Sequence, residues 1–183
     1  MTLPIRIGSF DLECSNLNAD FGILLCGAVK EMGVDTPHVF RIDKSPGYKK
    51  QPWNDAWLAQ QLRDLLSGFD MLFGWNSSRF DWPFLNTRLV KHGIPALPKK
   101  LHKDALYTSR YKLRLHSNRL ASVQEFFDTP TSKSSIDGNL WTKALTGDRE
   151  SMDYIVDHCE RDVVVLEQII AKLVPLMSEI NNG

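Results

Sequence analysis

The spacing of apolar residues changes part-way along this chain, and that change limits the fold class more than any other feature. The first segments read in strand period. Residues 5 to 12 put Ile5, Ile7 and Ser9 on one side and Arg6, Gly8 and Phe10 on the other; with Leu12 they predict a mostly buried strand. Phe21 to Met32 predicts a second buried strand, punctuated by Gly22 and Gly33. His38 to Ile42 predicts a shorter third, joined to the second through the turn residues Asp35, Thr36 and Pro37. Helical spacing takes over from Trp53 to Leu66, where Trp57, Leu58, Leu62 and Leu65/Leu66 recur. Met71 to Trp75 predicts a short strand, and Trp82 to Lys91 a helix closed by His92-Gly93. Pro95 and Pro98 exclude a regular helix over 94–98. Ser117 is expected to cap a helix with Leu120, Val123, Phe126 and Phe127 on one face, followed by a polar loop from Thr129 to Asn139. Ser151 is expected to cap the longest element, in which Ile155, Val156, Cys159, Val163, Leu166, Ile169, Ile170 and Leu173 keep helical phase, with Pro175 expected to kink or end it. Strands first, then strands alternating with helices, predict an α/β layered domain, with residues 1–183 as a single unit.

Composition narrows the setting. Cys14, Cys26 and Cys159 are odd in number and widely spaced, with no C-x-x-C, so neither a disulfide framework nor a zinc ribbon fits. Free thiols point to a reducing compartment. The N-terminus lacks the basic and apolar regions of a signal peptide. No apolar run approaches the ~20 residues of a membrane span. The expected location is the cytoplasm, with no membrane partner.

Three acidic motifs carry chemistry. Asp11-Leu12-Glu13 ends the first strand, where residues two apart share a face. Two carboxylates there repel unless a cation lies between them, and such oxygen donors suit Mg²⁺ or Mn²⁺. Asn76-Ser77-Ser78-Arg79-Phe80-Asp81 follows a short strand and opens a helix, where Asp81 also reads as a capping acid and Asn76 as a turn residue. His158-Cys159-Glu160-Arg161-Asp162 lies in the final helix, with His158 and Asp162 on one face beside the apolar stripe. A carboxylate in that position needs a partner or a metal. Asp153 and Asp157 read as exposed helix acids.

In that order, the three motifs resemble those of the DEDD 3′–5′ exonucleases, over residues 11 to 162. The resemblance implies a ribonuclease H-like three-layer fold, with a mixed central β-sheet flanked by α-helices. It implies a hydrolase that removes nucleotides from 3′ ends of DNA, single-stranded by preference, through two divalent ions, Mg²⁺ or Mn²⁺. Asp11, Glu13, Asp81 and Asp162 would be the metal ligands. His158 would orient the attacking water or take its proton. Leu12, Asn76 and Phe80 would bind substrate, with a core role for Phe80 equally open. The third motif departs from both family branches: His158 stands four residues before Asp162, the spacing of the tyrosine branch with the residue of the histidine branch. Tyr154, eight before Asp162, is the other candidate to assist the water. The partner implied is nucleic acid with a free 3′ end, DNA in preference to RNA. An exoribonuclease of the same fold, and an inactive nucleic-acid-binding module, are the alternatives.

Other residues are weighed beside these. Asp104 resembles a non-ligand acid of the superfamily and also reads as a helix-start acid. His102 and His116 read as surface residues. Trp53, Trp57, Trp75, Trp82 and Trp141 read mostly as core, with Trp75 and Trp82 placed to flank the second motif. Lys133 reads as a solvated lysine near a phosphate path. Lys+Arg and Asp+Glu are 22 each, so the net charge is zero, but it is unevenly spread. Lys99 to Arg119 holds seven Lys/Arg against one acid, whereas Asp148 to Gly183 holds eight acids against three bases. The basic stretch, with Tyr107 and Tyr111, has a composition suited to phosphate contact and base stacking.

Overall fold

Alternation on the first strand sets the layers. The computed structural model describes residues 5–131 and 138–177. Strand β1 is Ile7–Cys14, β2 Leu24–Glu31, β3 His38–Arg41, β4 Met71–Gly74 and β5 Leu101–Asp104. They form one five-stranded sheet in the order β3-β2-β1-β4-β5. β1 pairs antiparallel with β2, and β2 with β3. β1 pairs parallel with β4, and β4 with β5. β2 is buried at every position before Glu31, as a strand covered on both faces must be.

Among the described residues, six helices complete the layers: α1 Ala56–Ser67, α2 Asp81–Lys91, α3 Ala105–Lys112, α4 Leu120–Phe127, α5 Gly138–Leu145 and α6 Arg149–Leu173. Successive β1 side chains point to opposite faces. Phe10 meets Trp82 of α2, and Leu12 lies beside Leu62 of α1. On the other face the Ser9 hydroxyl donates to the Val163 carbonyl of α6. α1 and α2 therefore cover one face and α6 the other, with α3, α4 and α5 packed on α6. Leu58, Leu62, Leu66, Val163 and Ile169 are fully buried. Each such side chain contributes about 1.5–3 kcal/mol on burial.

The mixed sheet between helices is the expected α/β architecture. Several boundaries differ, for local reasons. β2 starts at Leu24, because Phe21 is in a turn and its ring is exposed. The cap of α4 is Arg119; Ser117 instead accepts from the Arg119 N–H, and Phe126 is exposed. The cap of α6 is Asp148, whose carboxylate accepts from the Ser151 N–H three residues on. Ser151 thus lies inside the helix. α6 ends at Leu173, and Pro175 falls in a 3-10 turn. The expected loop of 129–139 gives way to α5 at Gly138. β5 was not expected, whereas α3 begins after its cap Asp104, which reads as a helix-start acid. Trp53 is exposed, not core. Lys133 lies outside the described residues. Cys14, Cys26 and Cys159 are buried free thiols. Among the described residues, no helix is long and apolar enough to cross a membrane.

Candidate active site

The predicted acids gather where β1 ends, α2 begins and α6 crosses the sheet. β1 turns Asp11 and Glu13 to the α6 face, on alternate positions with Leu12. A register irregularity between Glu13 and Cys14 follows directly, the kind of bulge that re-aims a side chain at a strand end. α6 answers with His158 and Asp162, 6% and 5% exposed. The His158 Nε2 lies 3.7 Å from Glu13 Oε1 and 3.6 Å from Asp162 Oδ2. The helix is fixed to the strand here: the Cys159 thiol donates to the Asp11 carbonyl at 3.4 Å. Tyr154 is 39% exposed on the same helix. The structure thus joins His158 to Glu13 and Asp162. Asp153 and Asp157 are surface acids, paired with Arg41 and Arg161.

Asp81 enters from the other side. It is the first residue of α2, after the cap position Phe80. Its Oδ1 accepts from the Leu12 N–H at 3.0 Å, so the carboxylate is tied to the backbone between Asp11 and Glu13. It is 3% exposed. Burial pushes its carboxyl up to about 7, and the Asp104 charge adds to the rise, against hydrogen bonds from its own N–H and that of Leu12.

The turn before Asp81 is built from three sources. Gly74 admits it, since a Cβ there would overlap the Ser77 side chain. Asn76 takes the left-handed conformation, φ 60°, that asparagine tolerates. Asp104 then holds it from β5, accepting from the N–H groups of Asn76 and Ser78 at 2.9 and 3.0 Å and from the Ser78 hydroxyl at 2.7 Å. Asp104 also caps α3 through the Leu106 N–H. Its reading as a helix-start acid holds, and it also braces the turn of the second motif. His102 is not a surface residue: its Nε2 meets Ser77 Oγ at 2.8 Å, and its ring stacks on Trp82 at 4.7 Å. Burial lowers its pKa, partly offset by Asp104. His116 is exposed, as expected.

A cleft of about 520 Å³ borders Glu13 and is lined by Leu12, Ser15, Asn16, Phe80 and Trp141. Phe80 is half-buried against Phe84 and also faces this cleft. Leu12 is itself a core residue. The indole lining the cleft is Trp141 of α5. Trp82 stacks on His102, and Trp75 donates to the Asn118 carbonyl. No spacing signal links Trp141 to the motifs.

The profile of a family described as the RNase H superfamily matches residues 9–174. The chain belongs to the RNase H superfamily. Nucleases of this superfamily generally use divalent metal ions. No curated protein matches the sequence. Among solved structures, the family B DNA polymerase from the hyperthermophilic archaeon Pyrobaculum calidifontis superposes with a TM-score of 0.71 at 21% identity. The match covers 94% of this RNase H superfamily chain and 25% of the polymerase, so the chain spans about a quarter of that protein's length. At that identity the likeness is one of fold.

The site fits a divalent ion by its donors. Among the described residues no three His, Cys, Asp or Glu side chains form a ready-made metal cage. The site nevertheless offers carboxylate oxygens, the donors that Mg²⁺ and Mn²⁺ take. Burial holds Asp81 partly protonated near neutral pH, and a nearby dication would favour its charged form.

Proposed function

We propose that the chain is a metal-dependent 3′–5′ exonuclease, acting on single-stranded DNA by preference, with residues 1–183 as one domain. One observation carries the reading: His158 lies between Glu13 and Asp162, beside an Asp81 anchored to the same strand. Asp11, Glu13, Asp81 and Asp162 are the residues to hold two divalent ions, Mg²⁺ or Mn²⁺. Bound there, the ions supply the positive charge that stabilises a phosphodiester during hydrolysis. His158 is placed to accept the proton of the attacking water, with Glu13 and Asp162 orienting its ring. Leu12 and Phe80, which line the cleft beside Glu13, and Asn76 on the turn before Asp81 are the residues to contact the 3′ end, and Trp141 adds a wall for a terminal base. The buried, reduced thiols support a cytoplasmic setting.

The test is digestion of 5′-labelled single-stranded DNA, duplex DNA and RNA side by side, with Mg²⁺ or chelator. The expected result is a 3′-shortening ladder on single-stranded DNA that chelator abolishes. Asp11→Ala/Glu13→Ala should lower the rate about 10³-fold or more, since metal stabilisation of the transition state is worth several kcal/mol. Full activity in the double variant sinks the reading. A ladder on RNA but not DNA makes the chain an exoribonuclease. Binding without hydrolysis in Mg²⁺ makes it a binding module.

A further inference from the structure

Beside β5, on the edge of the sheet, the chain leaves a second cleft of about 380 Å³, lined by Ser78, His102, Tyr107, Tyr111, Lys112 and Leu176. Its wall is α3. Tyr107 and Tyr111 stand one helical turn apart, with ring centroids 6.1 Å apart and planes within 11°. The Arg110 guanidinium lies 5.8 Å from the Tyr107 ring centre. Tyr111 is 74% exposed, a large ring kept in water. Arg110 and Lys112 are exposed beside it, and so are Lys99, Arg114 and Arg119. Lys100 is withdrawn from this basic group, because its ammonium donates to the carbonyls of Ser67 and Phe69. The acid in the cleft, Asp104, is turned into the Asn76–Ser78 turn and satisfied there.

Near-parallel rings, Tyr111 exposed and Tyr107 half-buried, flanked by cations, offer what a single strand uses: bases stack on the rings, and phosphates pair with the cations. Ser78, which lines this cleft, belongs to the turn between β4 and α2, and Phe80 of the same turn lines the cleft beside Glu13. We propose that this cleft carries the DNA strand upstream of the 3′ end, with bases on Tyr107 and Tyr111 and phosphates on Arg110 and Lys112. The strand's direction rests on the exonuclease reading; the stacking surface does not.

The test is fluorescence anisotropy with a labelled single-stranded DNA 20-mer in chelator, where nothing is cut. Tyr107→Ala/Tyr111→Ala should raise Kd about tenfold or more, while Tyr107→Phe/Tyr111→Phe keeps the wild-type value. Arg110→Ala/Lys112→Ala should flatten the slope of log Kd against log salt by about 1.4, at about 0.7 for each phosphate no longer neutralised. Circular dichroism checks that each variant is folded. A wild-type Kd in the folded Ala pair overturns the cleft and leaves the exonuclease reading standing. Weakened binding in that pair, from a wild type that cuts nothing in Mg²⁺, keeps the cleft and sinks the exonuclease reading. An RNA 20-mer bound more tightly than DNA, and released by the same substitutions, would overturn the assignment to DNA.

Discussion

Asp81 is where burial and charge conflict most sharply. Its folded pKa of about 7 lies above the ordinary 3.8, so the folded chain keeps a proton that the unfolded chain gives up. The sign follows: without metal, stability falls as pH rises from about 4 to about 7. Asp81→Asn keeps an oxygen for the Leu12 N–H and cannot ionise. In chelator at pH 8 it should raise Tm by about 5 °C, the effect of about 2 kcal/mol in a chain of this length, with little change at pH 4. Equal melting of the two proteins at pH 8 would refute the conflict. The residues at issue were legible in the motifs, because spacing along a strand or helix decides which side chains share a face. What spacing left open was Tyr154 against His158, which lie on one face a turn apart. The 3.7 Å approach of His158 to Glu13 supports His158 on the proposed reading, and that approach is a tertiary fact.

The turn between β4 and α2 is the element that depends on one missing atom. Gly74→Ala puts a methyl group into the Ser77 side chain and should shift Asn76, Phe80 and Asp81 together. The expected outcome is a loss of nuclease rate of about tenfold or more with circular dichroism unchanged, since small displacements at an active site cost about 10²-fold. Gly74→Ala/Ser77→Gly should recover most of the rate by restoring the space. Failure of that rescue, or no loss in the single variant, would show that the turn does not hang on this contact. Asp104, which braces the same turn, shows the limit of reading by element. The strand carrying it, Leu101-His102-Lys103-Asp104, has one apolar residue and no alternation. It is a strand because β4 offers a parallel partner, which no local pattern announces. The difference in capping has a similar source: Asp148 and Ser151 are both good cap residues, and only the helix start separates them.

Across the whole molecule, one buried ion pair joins distant segments. Arg88 of α2 grips Asp55 with two hydrogen bonds of 2.8 Å and also donates to the Ala19 carbonyl. Asp55 accepts from the Leu24 N–H at the start of β2 and meets His92 at 2.6 Å. Burial raises the Asp55 carboxyl, but Arg88, Leu24 and His92 together hold it below its usual value. Arg88→Met leaves that carboxylate buried without its main partner and should cost about 3–5 kcal/mol in urea unfolding. Arg88→Met/Asp55→Asn should regain part of the loss; a loss below about 1 kcal/mol in the single variant would show that the pair is not structural. The pair was illegible in the sequence, where Arg88 and His92 lie 33 and 37 residues from Asp55. Arg88 lies inside the helix expected from Trp82 to Lys91, with nothing in its spacing to mark a partner. The contacts between β1 and α6 are longer still, 154 residues for Ser9 with Val163 and 148 for Cys159 with Asp11. A ribosome delivers β1 before α6. On the proposed reading, a nascent chain therefore carries three of its four acids before the fourth exists, and stays inert until α6 emerges and docks.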